Sequence, residues 1–174
     1  MRYKKNKTYA LCTLSGTLLE RAWSQIKGSV ISLSSKEAND FLLPRHYSGR
    51  KPAISKAFGW VVDDKLQAVV TYGKPASYTL CDAICGKEWS KNVYELNRLC
   101  REEDFHEPLS QFVAATLRLL KQNNWIIVSF SDTAMHHNGY IYQACNFLYT
   151  GKTKIHYDPV TQGGGIIATL TRMG

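Results

Sequence analysis

The chain has 174 residues, 44% of them hydrophobic, which suits a single globular domain over residues 1–174 with its own hydrophobic core. Its 22 Lys and Arg outnumber its 14 Asp and Glu, and the net charge of +8 favours a polyanionic partner, nucleic acid first, an unspecialised basic surface being the alternative. No apolar run approaches the ~18 residues that span a bilayer, and the start, MRYKKNK, lacks the apolar segment of a signal peptide, so no membrane partner is expected.

The cysteines predict a reducing compartment. There are five of them, an odd number, and several lie within apolar runs, where a reduced thiol behaves as a small hydrophobic group. We therefore expect a soluble, cytoplasmic protein. Cys81 and Cys85 could share a helical face as metal ligands, but no second Cys or His pair at zinc-finger spacing accompanies them. The sequence therefore predicts no structural zinc site.

The first half of the chain predicts a strand, a helix and a hairpin. Residues 8–14 alternate as a strand does, and Ser34 or Ser35 can cap a short helix that runs to Leu43 and is stopped by Pro44. Residues 45–55 form a loop. Residues 57–62 and 66–72 are rich in Val and aromatic side chains and are joined by an acidic turn at residues 63–64, which is typical of a β-hairpin.

The second half predicts a long helix between strands. A short helix over residues 78–85 and a strand over residues 92–100 come first. After Pro108, which suits the first helical position, a stripe with helical spacing indicates an amphipathic helix that closes at residues 123–124. The stripe comprises Leu109, Phe112, Val113, Thr116, Leu117 and Leu120.

Residues 125–130 are continuously apolar as far as Ser129 and predict a buried strand, followed by a short helix over residues 139–146. Strands over residues 147–157 and 166–171 complete the order. The whole predicts an α/β (α+β) fold, with a mixed, mostly antiparallel sheet flanked by helices. This order matches the Gcn5-related N-acetyltransferase fold, whose sheet splays open to form a cleft.

A basic loop is the first candidate for function. Residues 45–51 contain three cations together with an imidazole and a phenol, and Lys56 follows shortly after. Such a loop suits phosphate binding, because Lys and Arg neutralise a nucleic-acid backbone without reading its sequence. A solvated loop without function is the alternative. The predicted DNA contacts are Arg45, Arg50, Lys51 and Lys56.

Arg98 and Asp132 are candidates on two strands. Strict alternation places Arg98 on the apolar side of its strand, opposite to Glu95, so that its half-buried guanidinium needs a partner. That partner is Asp132, Glu95, or a carbonyl or phosphate of a substrate. Asp132 ends the buried strand and is a general base, an orienting carboxylate or a helix cap. The turn with His136 and His137 follows it.

Four motifs together resemble a known family: HYSG at residues 46–49, LNRLC at 96–100, VSFSD at 128–132 and GYIYQACNFLYTG at 139–151. They are similar to the phage Mom family, relatives of the Gcn5-related acyltransferases that convert adenine in DNA to its N6-carbamoylmethyl form and so protect DNA from restriction. The resemblance covers residues 43–151 and implies a transferase in the cytoplasm of a host cell. It implies these functional residues: His46, Tyr47, Arg98, Ser129, Asp132, and Tyr142 or Tyr149.

The resemblance implies a chemistry that the residues can be fitted to. The exocyclic amine of adenine is a weak nucleophile, so its proton must be removed as the new bond forms. Our hypothesis makes Asp132 or His46 the base, Arg98 the group that stabilises the donor's carbonyl, and Tyr47 a stacking platform for a base flipped out of the duplex. Asp132→Ala or Arg98→Ala should then abolish modification and leave DNA binding nearly intact.

The donor stays open at this stage: acetyl-CoA or another small-group donor. Acyltransferases of this fold commonly bind pyrophosphate at a Gly-rich turn before the long helix, but this chain has an acidic segment there, with Glu102, Glu103, Asp104 and Glu107. The resemblance also admits bound iron, with His46, Tyr47 or Asp132 as ligands, although no metal site is predicted. The oligomeric state is open, a homodimer being one option.

Two other functions compete with this one. An ordinary acetyl-CoA-dependent N-acetyltransferase, acting on a small amine or a protein, would bind acetyl-CoA tightly. A DNA-binding accessory protein without catalysis would bind DNA in a salt-sensitive way and leave its nucleosides unchanged.

Overall fold

The computed structural model describes residues 27–132 and 135–151 in full and the backbone of residues 10–11 and 169–172. In these parts of the chain eight strands form one sheet in the order β1-β7-β8-β6-β5-β4-β3-β2. Its pairings are antiparallel except those of β5 with β6 and of β1 with β8. The strands are β1 (Ala10–Leu11), β2 (Ser29–Leu33), β3 (Lys56–Val62), β4 (Lys65–Gly73), β5 (Val93–Arg101), β6 (Ile126–Ser129), β7 (Phe147–Tyr149) and β8 (Thr169–Arg172).

Helices accompany this sheet, as the sequence predicted. In the described residues they are α1 (Ser35–Leu42), α2 (Tyr78–Trp89), α3 (Leu109–Leu120) and α4 (Tyr140–Ala144), with 3₁₀ turns at Ser90–Asn92 and Lys121–Asn123. The α2 helix is longer than predicted, because it continues past Gly86, a kink with φ of 77°. Helix α3 begins at Leu109, directly after Pro108, whereas Pro108 was predicted to be its first residue. The mixed, mostly antiparallel sheet flanked by helices is confirmed.

Local chemistry explains α1 and the hairpin. The Ser34 side chain accepts a hydrogen bond from the backbone of Glu37, whose carboxylate accepts one from the Ser34 backbone, so that a capping box starts the helix. Asp63 and Asp64 both adopt positive φ, 49° and 60°, as a type I′ hairpin turn requires. Both predictions are confirmed.

Strand β2 was not predicted, and other boundaries differ. The β2 residues are mostly exposed at one edge of the described sheet, so they lack the apolar alternation that marks a buried strand. Strand β7 ends at Tyr149, well before the predicted end at residue 157. Of the predicted strand 8–14, only Ala10–Leu11 lies within the described residues. Residues 152–168, which include the start of the predicted last strand, lie outside them.

The core lies on both faces of the sheet. On one face α3 packs against β3 to β5, where the fully buried Trp60 stacks on Phe112 at 5.6 Å and meets Phe105 edge-on at 4.8 Å. On the other face α1 packs Phe41 against Val69 and its neighbours. The four described cysteines are free thiols. Within the described residues, no helix is both long and apolar enough to cross a membrane.

The sheet opens between β5 and β6, and this opening positions the candidate site. The two strands pair in parallel from Val93 with Ile126 as far as Leu96 with Ser129. Beyond that point β6 ends, while β5 continues to Arg101 paired with β4. A cleft therefore begins at Leu96 and Ser129, between the free side of β5 and the segment that follows β6.

Candidate active site

A β-bulge in β5 decides which side chains share the cleft. Tyr72 of β4 is opposite Leu96, but the next residue of β4, Thr71, is opposite Arg98, so that Asn97 is one residue extra. Residues opposite each other project from the same face, and alternation along β4 is unbroken between Ala68 and Gly73. Arg98 therefore lies on the same face as Glu95. The prediction that these two residues face opposite sides was wrong, because strict alternation cannot anticipate a bulge.

Arg98 is a half-buried cation at the start of the cleft. Its Nη1 donates a 2.6 Å hydrogen bond to the carbonyl of Asn97, and its buried Nε has no hydrogen-bond partner among the described residues. Burial lowers the pKa of this guanidinium, while Glu95 and Tyr47 oppose that shift. Asp132 and Glu95 were the two side chains predicted as partners of Arg98. Of these, Glu95 is the one whose charge acts on the Arg98 guanidinium in the structure. A guanidinium with an unused N–H is suited to hold a substrate oxygen.

Glu95 is a candidate site residue that the sequence analysis considered only as a partner of Arg98. It lies opposite Val128 of β6, one position before the strands part. Burial raises the pKa of its carboxyl to about 7, and the nearby Arg98 opposes that rise only in part. A carboxylate inside an apolar central strand is the sequence signal that could have found it. Such a group can take or give a proton near neutral pH.

The basic loop brings His46 and Tyr47 to the same cleft. Their rings stack with centroids 4.4 Å apart. The Nδ1 of His46 accepts a hydrogen bond from the backbone N–H of Ser48 and lies 2.9 Å from its hydroxyl. Burial, Arg98 and His137 lower the pKa of His46 to about 4, so the imidazole is neutral at pH 7. It therefore supports the Tyr47 ring better than it serves as a base.

Tyr47 connects the loop to the end of β6. Burial of the hydroxyl and its hydrogen-bonding interaction with the carboxylate of Asp132 raise the pKa of Tyr47 to about 12. His137 meets the Tyr47 ring edge-on at 6.0 Å. Half of the Tyr47 side chain remains exposed, 50%, so one aromatic surface is accessible at the mouth of the cleft.

Ser129 and Tyr142 lie where the strands part. Buried Ser129 donates a 2.9 Å hydrogen bond to the carbonyl of Leu96 and so closes the last step of the β5–β6 pairing. Burial raises the pKa of Tyr142 to about 12, and a hydrogen-bonding interaction with Ser129 opposes that rise. Tyr149 is 48% exposed on β7. Of the two tyrosines left open by the sequence, Tyr142 is the one placed at Ser129.

Two contacts hold the basic loop against the sheet. The Nδ2 of the bulge residue Asn97 donates to the carbonyl of Ala53 at 2.7 Å, and its Oδ1 accepts from Thr71 at 2.6 Å. The loop passes so close to Gly73 that a Cβ there would lie 1.7 Å from the Ala53 oxygen. Gly73 and Asn97 thereby fix the chain at Ala53, just after the basic loop, beside the cleft.

The predicted DNA contacts divide into an anchor and exposed cations. Arg45 makes two hydrogen bonds to the carboxylate of Glu102, at 2.7 and 2.9 Å, and its guanidinium lies 4.4 Å from the centre of the Phe41 ring. Its charge is therefore matched by Glu102, and we assign it to anchoring the loop. The remaining predicted contacts are exposed at the loop and at the start of β3: Arg50, Lys51 and Lys56.

The Arg45–Glu102 pair gives a testable consequence for stability. Arg45→Gln is expected to lower the free energy of unfolding by up to about 1 kcal/mol, because the pair is bidentate but partly exposed. Urea denaturation measures this change, with Lys51→Gln in the same loop as control. The double variant Arg45→Gln/Glu102→Gln should have a free energy of unfolding no lower than that of the less stable single variant. Additive losses would contradict the pairing.

The start of α3 does not suit a pyrophosphate. The residue before the helix is Pro108, which has no N–H, and the N–H of Gln111 is bonded to its carbonyl. The segment ahead of it carries the carboxylates of Glu103, Asp104 and Glu107, and buried Phe105 packs on Trp60. Negative charge and the lack of a glycine turn therefore oppose binding of a coenzyme A diphosphate here. Within the described residues, no three His, Cys, Asp or Glu side chains are grouped to hold a metal ion.

Comparison with known proteins identifies the family of this chain. A family model described as the Mom protein family matches residues 28–171. The chain belongs to the Mom protein family. The matched region contains both strands of the cleft, the basic loop and the segment after β6, so the Mom resemblance of the four motifs is confirmed. Comparison with curated proteins finds no match.

Solved structures show that this Mom family chain has the Gcn5-related N-acetyltransferase fold. A ribosomal-protein alanine N-acetyltransferase from Escherichia coli superposes with a TM-score of 0.55 at 12% identity, over 84% of this chain and 94% of that one. Ard1 from Thermoplasma volcanium gives 0.53 at 10% identity, over 84% and 99%. An acetyltransferase from Elizabethkingia anophelis with acetyl-CoA bound gives 0.50 at 10% identity, over 83% and 97%.

Proposed function

We propose that this protein modifies DNA by transferring a small group to N6 of adenine, giving N6-carbamoylmethyladenine. The Mom family match over residues 28–171 is the observation that carries the proposal. The acetyltransferase-like fold supports a group transfer, and the net charge of +8 supports a polyanionic substrate. Modified adenine would protect the DNA from restriction enzymes.

In the proposed reaction the target adenine leaves the duplex and enters the cleft between β5 and β6. Its ring stacks on the exposed surface of Tyr47, whose hydroxyl is oriented by Asp132 and whose other contacts are His46 and His137. The phosphates on either side meet the exposed cations Arg50 and Lys51.

Glu95 is the base that best matches the chemistry. Its pKa of about 7 allows it to be ionised at neutral pH and still basic enough to take the N6 proton. His46, with a pKa near 4, is a weaker base, and Asp132 is engaged with Tyr47. N6 forms a bond to the methylene carbon of the donor, the bond from that carbon to the leaving group breaks and its electron pair goes to the leaving group, and the N6 proton passes to Glu95. Arg98 holds the carbonyl oxygen of the transferred carbamoylmethyl group and so positions its methylene carbon next to N6.

An ordinary acetyltransferase is the second candidate, since one similar structure holds acetyl-CoA. The start of α3 argues against it. We expect titration calorimetry with about 1 mM acetyl-CoA to show no saturable binding, because the acidic segment and Pro108 replace a pyrophosphate site. The Elizabethkingia enzyme is the positive control. Saturable binding by this protein would favour the acetyltransferase function.

Nucleoside analysis tests the proposed function directly. The protein is expressed in bacteria, their DNA is digested to nucleosides, and the products are separated and weighed by mass spectrometry. A deoxyadenosine heavier by a carbamoylmethyl group is expected from the wild type and not from the Arg98→Ala variant. Unmodified DNA from cells with abundant, folded wild-type protein would rule out the function.

A further inference from the structure

A short rigid segment borders the cleft after β6. We name residues 135–140 the border segment. The N–H groups of Met135 and His137 both donate to the carbonyl of Asp132, at 3.3 and 3.1 Å, and the carbonyl of His137 accepts from Ser131 at 2.8 Å. Because Asp132 interacts with Tyr47, these bonds fix the border segment directly beside the aromatic platform. His137 contacts that platform itself.

The border segment presents large apolar side chains to solvent. Met135 is 43% exposed and Tyr140, the first residue of α4, is 78% exposed. His136 between them has a positive φ of 57°, a strained conformation that persists only where the surroundings hold it. Exposed apolar side chains are common singly. Here two exposed apolar side chains lie on one short segment that is fixed at the rim of a polar cleft. This arrangement indicates a function for them.

Electrostatics indicates what meets this rim. On the loop facing the border segment through the Tyr47–His137 contact, Arg50 and Lys51 are exposed. Arg50 is near enough to Arg98 to lower its pKa, which places its positive charge at the cleft. A DNA duplex that lies on these cations would bring its base pairs over the border segment. Charge complementarity therefore favours DNA as the occupant.

A duplex substrate needs such an element, because a base inside the stack cannot reach a buried carboxylate. Proteins that unstack DNA insert apolar side chains, methionine among them, between base pairs and fill the gap that opens. Resting on the proposed function, we propose that Met135 and Tyr140 form a wedge that enters the duplex beside the target adenine and holds it out of the stack. The border segment is then a DNA-opening element distinct from the groups that act on N6.

Permanganate oxidation tests the wedge without the donor, because it attacks thymines that are unpaired or unstacked. The wild-type protein bound to a long duplex is expected to make thymines reactive. The variant Met135→Ala/Tyr140→Ala should bind the same duplex within about threefold in mobility shifts, since the phosphate contacts remain. Its thymine reactivity, and adenine modification in cells, should both fall at least about tenfold.

Matched variants make the outcome decisive. Leu119→Ala, which removes a side chain of similar exposure on α3, should behave as the wild type. Met135→Leu/Tyr140→Phe keeps apolar bulk and should restore opening. Duplex opening or modification by Met135→Ala/Tyr140→Ala at the wild-type level would overturn the wedge while leaving the proposed function intact. A wild type that modifies no DNA would instead overturn the function, and the wedge with it.

Discussion

Arg98→Ala is expected to reduce adenine modification at least about 100-fold, the size of effect that follows when a reacting group is no longer held in position. DNA affinity should stay within about threefold, because the guanidinium is half-buried beside Glu95 and does not belong to the exposed cations of the loop. Mass spectrometry of nucleosides gives the first quantity, and mobility shifts give the second.

Two controls define the role of Arg98. Arg101→Ala removes an exposed cation from the end of the same strand and should leave modification unchanged. Arg98→Lys keeps the charge but lacks the fork of N–H groups, and it should recover only part of the activity. Full modification by Arg98→Ala would refute its role at the donor carbonyl. A parallel loss of DNA binding would make it a phosphate contact instead.

Glu95→Gln is expected to reduce modification at least about 100-fold, because an amide cannot accept the N6 proton. The wild-type rate should rise with pH through about 7, the pKa that burial gives this carboxyl, since only the ionised form is a base. Rates measured between pH 5.5 and 8.5 should show this limb in the wild type and not in the residual activity of the variant. Glu103→Gln, on the exposed turn after β5, is the matched control. An unchanged pH profile in Glu95→Gln would return the role of base to Asp132.

The same carboxyl predicts how stability depends on pH. Its pKa is raised from 4.5 in the unfolded chain to about 7 in the folded one, so the folded state binds the proton more tightly. Its contribution to stability is therefore fully present below pH 4.5 and is lost as pH rises through about 7. The free energy of unfolding, measured by urea denaturation, should fall as pH rises across this range. The fall should be smaller for Glu95→Gln than for the wild type. Equal slopes would place the carboxyl in a solvated environment.

Most of the fold was predictable from local patterns. The capping box at Ser34, the paired aspartates of the hairpin turn and the stripe of α3 each act within a few residues, so the sequence shows them directly. The edge strand β2 was missed because its residues are mostly exposed and carry no strong alternation. The length of α2 was underestimated because Gly86, a residue that usually ends a helix, interrupts it without ending it.

The sequence predicted which residues belong to the candidate site better than it predicted which of them contact each other. The motifs selected His46, Tyr47, Arg98 and Asp132, and the structure brings them to one cleft. The DNA contact of Arg45 stays a prediction, whereas its ion pair with Glu102, 57 residues further along the chain, was not predicted. Such a partner cannot be found by inspecting the loop alone.

The sequence by itself determined the family, the basic charge and the segments that supply polar groups, because motifs and composition are properties of the chain. Only the tertiary structure decided which groups meet. One extra residue in β5, Asn97, turns Arg98 to the face of Glu95. The end of β6 at Ser129 opens a space between β5 and the segment that follows β6. Burial next to that opening raises the pKa of Glu95 to about 7, since a carboxylate loses its water there. Register, strand ends and desolvation arise from contacts between distant segments, which no local pattern contains.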